Sequence, residues 1–412
     1  MNKMHVVAAT KFNIAFIICF SLFLSACSDK ETSESPYDWA IIAGFPKPQV
    51  PKNNPMTQAK VDLGKALFFD KNLSANQQQG CVSCHQQAFA FGENSPRSFG
   101  STNQEHRRNS SVLVNIAYNK TLTWAHDGLT SIEQQILLPL FSESPIELGV
   151  TGHEEEVLSR FNNPDYQRLF DNAFPGQTVN FDLIVKALAS YVRSLISLKS
   201  PFDAYAYAGE DEAISASALR GMNLFFSEKL ECHHCHGGFN FTQSTSHEKQ
   251  LIDRRPFHNT GLYNVQPLDK TQRSGYPSSD IGLAEISTLP RDNGRFRAPT
   301  LRNIEVSAPY MHDGSIANLP AVLDFYAAGG RHIISGKHQG DGRNNPLKSQ
   351  FIKGFTLTPT EKDDLIAFLH TLTDEHFLTD PQHSPDKDKV FDHDVIWQPL
   401  GFYDSIDKKR AR

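Results

Sequence analysis

The sequence predicts a mainly α-helical protein built from two similar units, with long loops and little β-structure. Three observations predict it. Apolar residues recur at helical spacing along several stretches. Few stretches alternate as strands do. One arrangement, an amphipathic helix leading into a C-x-x-C-H pentapeptide, occurs twice. In the first copy Ala59, Leu63, Ala66 and Leu67 follow i, i+4, i+7, i+8, and the run Gly64-Lys65-Ala66-Leu67-Phe68-Phe69 precedes Cys81-Val82-Ser83-Cys84-His85. In the second, Ala218, Met222, Phe225 and Phe226 repeat that spacing, and Gly221-Met222-Asn223-Leu224-Phe225-Phe226 precedes Cys232-His233-His234-Cys235-His236.

The remaining elements follow in chain order. Residues 1–26 read as a lipoprotein signal peptide: Lys3 and Lys11 give the positive region and Phe12 to Leu24 the apolar run. Leu24-Ser25-Ala26-Cys27 resembles a bacterial lipobox, which would lipidate Cys27. Ser28 in place of Asp gives no inner-membrane retention signal, so the expectation is the periplasmic face of the outer membrane. The apolar run is short for a membrane span. Residues 27–38 are polar and read as a tether. Residues 39–205 form the first predicted domain, 206–378 the second, with the divide near Ser200–Glu212. Asn180 is placed to cap a helix carrying Ile184, Ala187, Leu188, Tyr191, Leu195 and Leu198 on one face. Arg254–Arg297 reads as a long loop. A helix is expected over Ala321–Ala328. Thr358-Pro359-Thr360-Glu361 is a capping box with Pro at the first helical position, opening a helix through Leu365, Phe368, Leu369 and Leu372. Residues 379–412 read as an irregular tail.

C-x-x-C-H is the attachment pattern for covalent c-type haem, with two thioethers and the adjacent His as an iron ligand. Of six cysteines, Cys19 and Cys27 fall in the export segment and the other four in the two motifs. None is left for a disulfide or a thiol nucleophile. A zinc site would need further ligands at fixed spacing. Two haem-bearing, cytochrome c-like domains are therefore expected, the first attached through Cys81, Cys84 and His85, the second through Cys232, Cys235 and His236. Export suits c-type haem. Losing Lys3 and Lys11 would move the formal charge from −6 to −8, which argues against a nucleic-acid partner. His233 and His234 cannot reach the iron that His236 binds and read as exposed or supporting residues.

With both motifs placed, the chain resembles the MauG / bacterial di-haem cytochrome c peroxidase superfamily over nearly all of residues 39–378. Arg297-Ala298-Pro299-Thr300-Leu301-Arg302-Asn303 and Ala308-Pro309-Tyr310-Met311-His312-Asp313-Gly314-Ser315 carry that resemblance. Gly44-Phe45-Pro46-Lys47-Pro48, Asn54-Pro55-Met56-Thr57, Leu122-Thr123-Trp124, His258-Asn259-Thr260-Gly261-Leu262-Tyr263 and Gly354-Phe355-Thr356-Leu357-Thr358-Pro359 are similar to the MbnH-like branch. That branch is associated with copper-binding, MbnP-like partners and with peroxide-driven oxidation of a partner tryptophan to kynurenine.

The resemblance implies an open, peroxide-activating first haem, with Glu147 as the distal acid–base residue and Gln135 and Pro139 beside it. Two residues more than the family pattern separate Pro139 from Glu147. It implies Tyr326, fourteen residues after His312, as sixth ligand of the second haem; Tyr310, Met311 and His312 are competing candidates. Trp124 matches the tryptophan between the haems, although Ala125-His126 intervene before Asp127-Gly128. Asn109, with the carbonyls of Ser307 and Pro309, matches a calcium site, a donor set suited to Ca²⁺. Three functions remain open: a periplasmic oxidase of a partner protein, a di-haem peroxidase reducing hydrogen peroxide with electrons from a small cytochrome or cupredoxin, and an electron carrier with both irons six-coordinate.

Overall fold

The computed structural model describes residues 37–39, 41–251, 256–265 and 279–385. The predicted signal peptide, Cys27, nearly all of the tether and the tail beyond 385 lie outside the described residues. Twelve α-helices are described: α1 (Gln58–Phe69), α2 (Ile132–Phe141), α3 (Glu154–Ser159), α4 (Pro164–Ala173), α5 (Phe181–Ser194), α6 (Pro201–Ala208), α7 (Ala216–Phe225), α8 (His233–His236), α9 (Ala284–Ser287), α10 (Leu319–Ala327), α11 (Pro359–His370) and α12 (Glu375–Thr379). Strand structure among the described residues is confined to two antiparallel pairs. β1 (Phe257–His258) lies against β2 (Phe296–Arg297), and β3 (His332–Ile333) against β4 (Gly340–Asp341).

Capping starts the helices where the sequence places them. Thr57, Asn180, Ser215 and Thr358 each accept a hydrogen bond from the backbone N–H three residues on. Such a cap stabilises a helix by ~1 kcal/mol. The ends differ from the periodicity. α5 stops at Ser194 and α11 at His370, yet Leu195, Leu198 and Leu372 beyond them are buried. The apolar rhythm continues into the following turn because the core does, not because the helix does. The segment around Ser200–Glu212 contains α6, opened by a Ser200–Asp203 capping box, and Arg254–Arg297 contains β1, α9 and β2.

Two helix pairs organise the interior. α1 crosses α5 and α7 crosses α11, each at a glycine. A Cβ on Gly64 would lie 2.0 Å from the Ala187 carbonyl oxygen, and one on Gly221 1.9 Å from that of Asp364. Only hydrogen fits between the backbones there. Apolar residues gather into two clusters, one around α1 and α5, the other around α7, α10 and α11. Asp203 and Arg302 form a bidentate ion pair with both side chains at most 1% exposed, and Arg302 also donates to the Phe239 carbonyl. Removing one partner of such a pair costs ~3–5 kcal/mol.

Candidate active site

Each attachment motif ends on a histidine held the same way. His85 Nδ1 donates to the Phe91 carbonyl at 2.8 Å. His236 Nδ1 faces the carbonyls of Phe241 at 3.2 Å and Pro299 at 3.1 Å. A carbonyl can only accept, so Nδ1 carries the hydrogen and Nε2 keeps its lone pair. Burial lowers both imidazole pKa values, that of His236 to about 4, so both rings are neutral at pH 7. A neutral, oriented imidazole beside two unpaired cysteines is the donor set that c-type haem requires. Phe91 and Phe241, which offer the carbonyls, both adopt positive φ, 58° and 48°.

A cavity of about 370 Å³ opens beside the first motif, lined by Cys81, Cys84 and His85 on one side and by Gln135, Pro139 and Glu147 on another. Ser131 caps α2 by accepting from the Gln134 N–H, and Glu133 is fixed by Arg193 at 2.7 Å and Asn54 at 2.9 Å. Leu148 N–H donates to the Pro139 carbonyl and Val150 N–H to that of Leu140, so residues 142–147 loop out beyond α2 and Glu147 lines the cavity. Burial pushes the Glu147 carboxyl up to about 7. Gln135 Oε1 is buried with no described partner, as expected of a group that serves a ligand.

His106 also lines this cavity, with Nε2 buried and unpartnered and its pKa lowered by burial. Sequence reasoning did not single it out. It belongs to no spaced pattern, and its position three residues before Asn109 was the one available signal.

Tyr326 stands beside the second motif. It packs against the second cluster, where Cys232 also lies. Burial raises that phenol well above its ordinary pKa. It donates to no described residue, whereas the Tyr310 hydroxyl is engaged by the Ile304 carbonyl at 2.8 Å. The His312 ring is stacked on Phe296 at 3.6 Å. Helix position links the two units. α2 is capped by Ser131 and α10 by Asn318. Eight residues past the cap stands Pro139 in the first and Tyr326 in the second.

The junction of the units is reciprocal. Asn109 N–H donates to the His312 carbonyl at 2.8 Å, and Arg297 N–H to the Trp124 carbonyl at 2.7 Å. Trp124 lines the first cavity, and its indole N–H donates to the Asn109 carbonyl at 2.8 Å. Arg297 is 3% exposed, burial lowers its pKa to about 10, and one of its donors, Nη1, has no described partner. A buried, unsatisfied guanidinium calls for an anion, and haem propionates are anions. Asn109 Nδ2 donates to the Ser95 carbonyl, and the carbonyls of Ser307 and Pro309 accept no hydrogen bond from a described residue.

Comparison with known proteins shows which family the chain resembles. The sequence pattern described as "Di-haem cytochrome c peroxidase" matches residues 58–212. Cytochrome-c peroxidase IdrP1 of Pseudomonas sp. (strain SCT) is 35% identical over 81% of this chain and 85% of its own length. Methylamine utilization protein MauG of Methylorubrum extorquens is 31% identical over 88% of this chain and 94% of its own. The chain belongs to the MauG / di-haem cytochrome c peroxidase family. Membership makes it a haem-dependent oxidoreductase with two c-type haems. A solved structure, described as a MauG-like protein associated with microbial copper homeostasis, superposes with TM-score 0.80 at 42% identity, covering 84% of this chain and 99% of that one.

Proposed function

We propose that this family member is a periplasmic di-haem oxidase that uses hydrogen peroxide to oxidise a partner protein, converting a tryptophan to kynurenine on an MbnP-like copper-binding protein. The contrast between Pro139 and Tyr326 carries the reading. One helix position offers no ligand atom at the peroxide cavity and a phenol oxygen at the second haem. The haems, when bound, supply redox iron and a store of oxidising equivalents.

The chain's residues do the rest. The Glu147 carboxylate takes the proton from one peroxide oxygen and returns it to the other, while Gln135 orients the peroxide. Trp124, at the junction, connects the units. Tyr326, as an anionic oxygen donor, favours the oxidised state of the second iron more than a thioether would. Asn109, Ser307 and Pro309 hold Ca²⁺ where the units meet. Cys27 anchors the mature chain to the periplasmic face of the outer membrane. In net terms two peroxides are reduced to four waters and withdraw four electrons and four protons from the indole and two waters, which supply its two new oxygens; hydrolysis then releases formate and leaves kynurenine. The likeness to a MauG-like protein associated with copper homeostasis supports a copper-binding partner.

The test is the intact mass of such a partner before and after treatment with this protein and peroxide. One tryptophan should gain one oxygen and lose one carbon. An unchanged mass, with peroxide consumed only when a reduced cytochrome or cupredoxin is supplied, would replace this reading with peroxide reduction, the activity named for several relatives.

A further inference from the structure

The second attachment motif carries two histidines that haem binding does not use. α8 runs from His233 to His236, and Cys232 before it is also helical. At about 100° per residue, Cys232, Cys235 and His236 fall on one side of this turn. His233 and His234 fall on the other, away from the iron. Glu228 lies beside them, and the ligating atoms of Glu228, His233 and His234 all lie within 4.8 Å of one another.

None of the three is consumed by another strong interaction among the described residues. His233 Nε2 is 3.9 Å from Glu228 Oε1, beyond hydrogen-bond reach, and His233 Nδ1 is buried without a partner. His234 is held through its ring, stacked on Phe351 with centroids 4.4 Å apart and tilted by 33° against the His233 ring at 4.3 Å. That stacking orients the ring and leaves both nitrogens in its plane for a ligand. Two atoms bound tetrahedrally to one zinc ion lie about 3.3 Å apart, given bonds of ~2.0–2.1 Å. Closing spacings of up to 4.8 Å needs the two imidazoles to turn and the 83% exposed Glu228 side chain to swing in.

We infer that Glu228, His233 and His234 form a binding site for a divalent transition-metal ion on the surface of the second haem unit, separate from both irons and from the calcium position. Two imidazoles and one carboxylate suit Zn²⁺ and, by the usual order of affinities, bind Cu²⁺ more tightly. Calcium and magnesium, which take oxygen ligands, are excluded by the same donor set. One coordination position stays open to solvent or to a donor from a docked molecule.

The experiment uses the holoprotein with both haems, treated with chelator and resupplied with Ca²⁺, then titrated with Zn²⁺ by calorimetry and metal analysis. One equivalent should bind. Glu228→Gln and His234→Ala should each weaken it more than about tenfold, since even residues behind a metal ligand contribute 10–100-fold. With Cu²⁺ in place of Zn²⁺, the electron paramagnetic resonance spectrum should show nitrogen coupling that His234→Ala reduces. Glu228 lies outside the haem motif, so Glu228→Gln keeps the test valid if a motif variant loses haem. The Soret absorbance per chain reports that directly. No bound equivalent, or equal affinity in wild type and Glu228→Gln, overturns the site.

Discussion

In the first unit Phe68 packs against Phe91 and Tyr191 beside His85, with ring centroids 5.8 and 5.1 Å away. In the second Phe225 packs against Phe241 and Phe368 beside His236, at 6.1 and 5.3 Å. The correspondence extends further. Asn115 and Asn303 both adopt positive φ, and their N–H groups donate to the carbonyls of Leu195 and Leu372. One backbone plan therefore builds both haem seats. The opposite faces differ. The first has a cavity bordered by Glu147, Gln135 and Pro139, the second a buried phenol. The attachment seats are duplicated and the surroundings opposite them are not, and the proposed function rests on that difference.

The sharpest way to break this comparison is Tyr326→Phe, which removes the phenol oxygen that α10 carries eight residues past its cap, where α2 carries Pro139. Partner oxidation should fall to background while both haems remain attached, read by product mass and by haem content per chain. Unchanged oxidation would remove Tyr326 from the ligand role. Next is Glu147→Gln, expected to slow peroxide consumption by ~10²-fold. The wild-type rate constant kcat/KM for peroxide should also rise with pH through about 7 and then level off. The carboxyl sits at about 7, and only its carboxylate can take the proton. Glu147→Gln should abolish that limb.

Three smaller changes sharpen the duplication itself. Gly64→Ala and Gly221→Ala each force a Cβ into a carbonyl oxygen at about the same distance. Each should destabilise by roughly 1–3 kcal/mol in denaturant unfolding, and by similar amounts if the crossings are equivalent. A large difference between them would show that the two seats bear unequal strain. Tyr191→Phe makes the first aromatic cluster like the second. It removes the hydroxyl's bond to the His383 carbonyl, 2.9 Å long, for a loss of ~1 kcal/mol in the same assay.

Much of the fold was legible because its signals are local. Thr358 and Glu361 specify a helix start within four residues, and Asn180 does so within three. The haem seats were legible because two cysteines and a histidine at fixed spacing have few other uses. Other features were hidden. The end of α5 at Ser194 could not be read from a rhythm that runs on to Leu198. The pairing of Asn115 with Asn303 spans long sequence separations and rests on backbone hydrogen bonds, which leave no residue-type signature. His106 acquires meaning only from the cavity around it.

The sequence by itself determined where two haems attach, where the helices begin, and that a proline and a tyrosine occupy Pro139 and Tyr326. Those facts reside in residue identity and short spacing. Only the tertiary structure decided that Pro139 and Tyr326 hold the same place in two corresponding helices. It likewise decided that residues 142–147 loop out so that Glu147 lines the cavity, and that Glu228, His233 and His234 converge. Each depends on chain segments brought together by burial and backbone hydrogen bonding, and the resulting desolvation is what moves the Glu147 carboxyl towards neutrality.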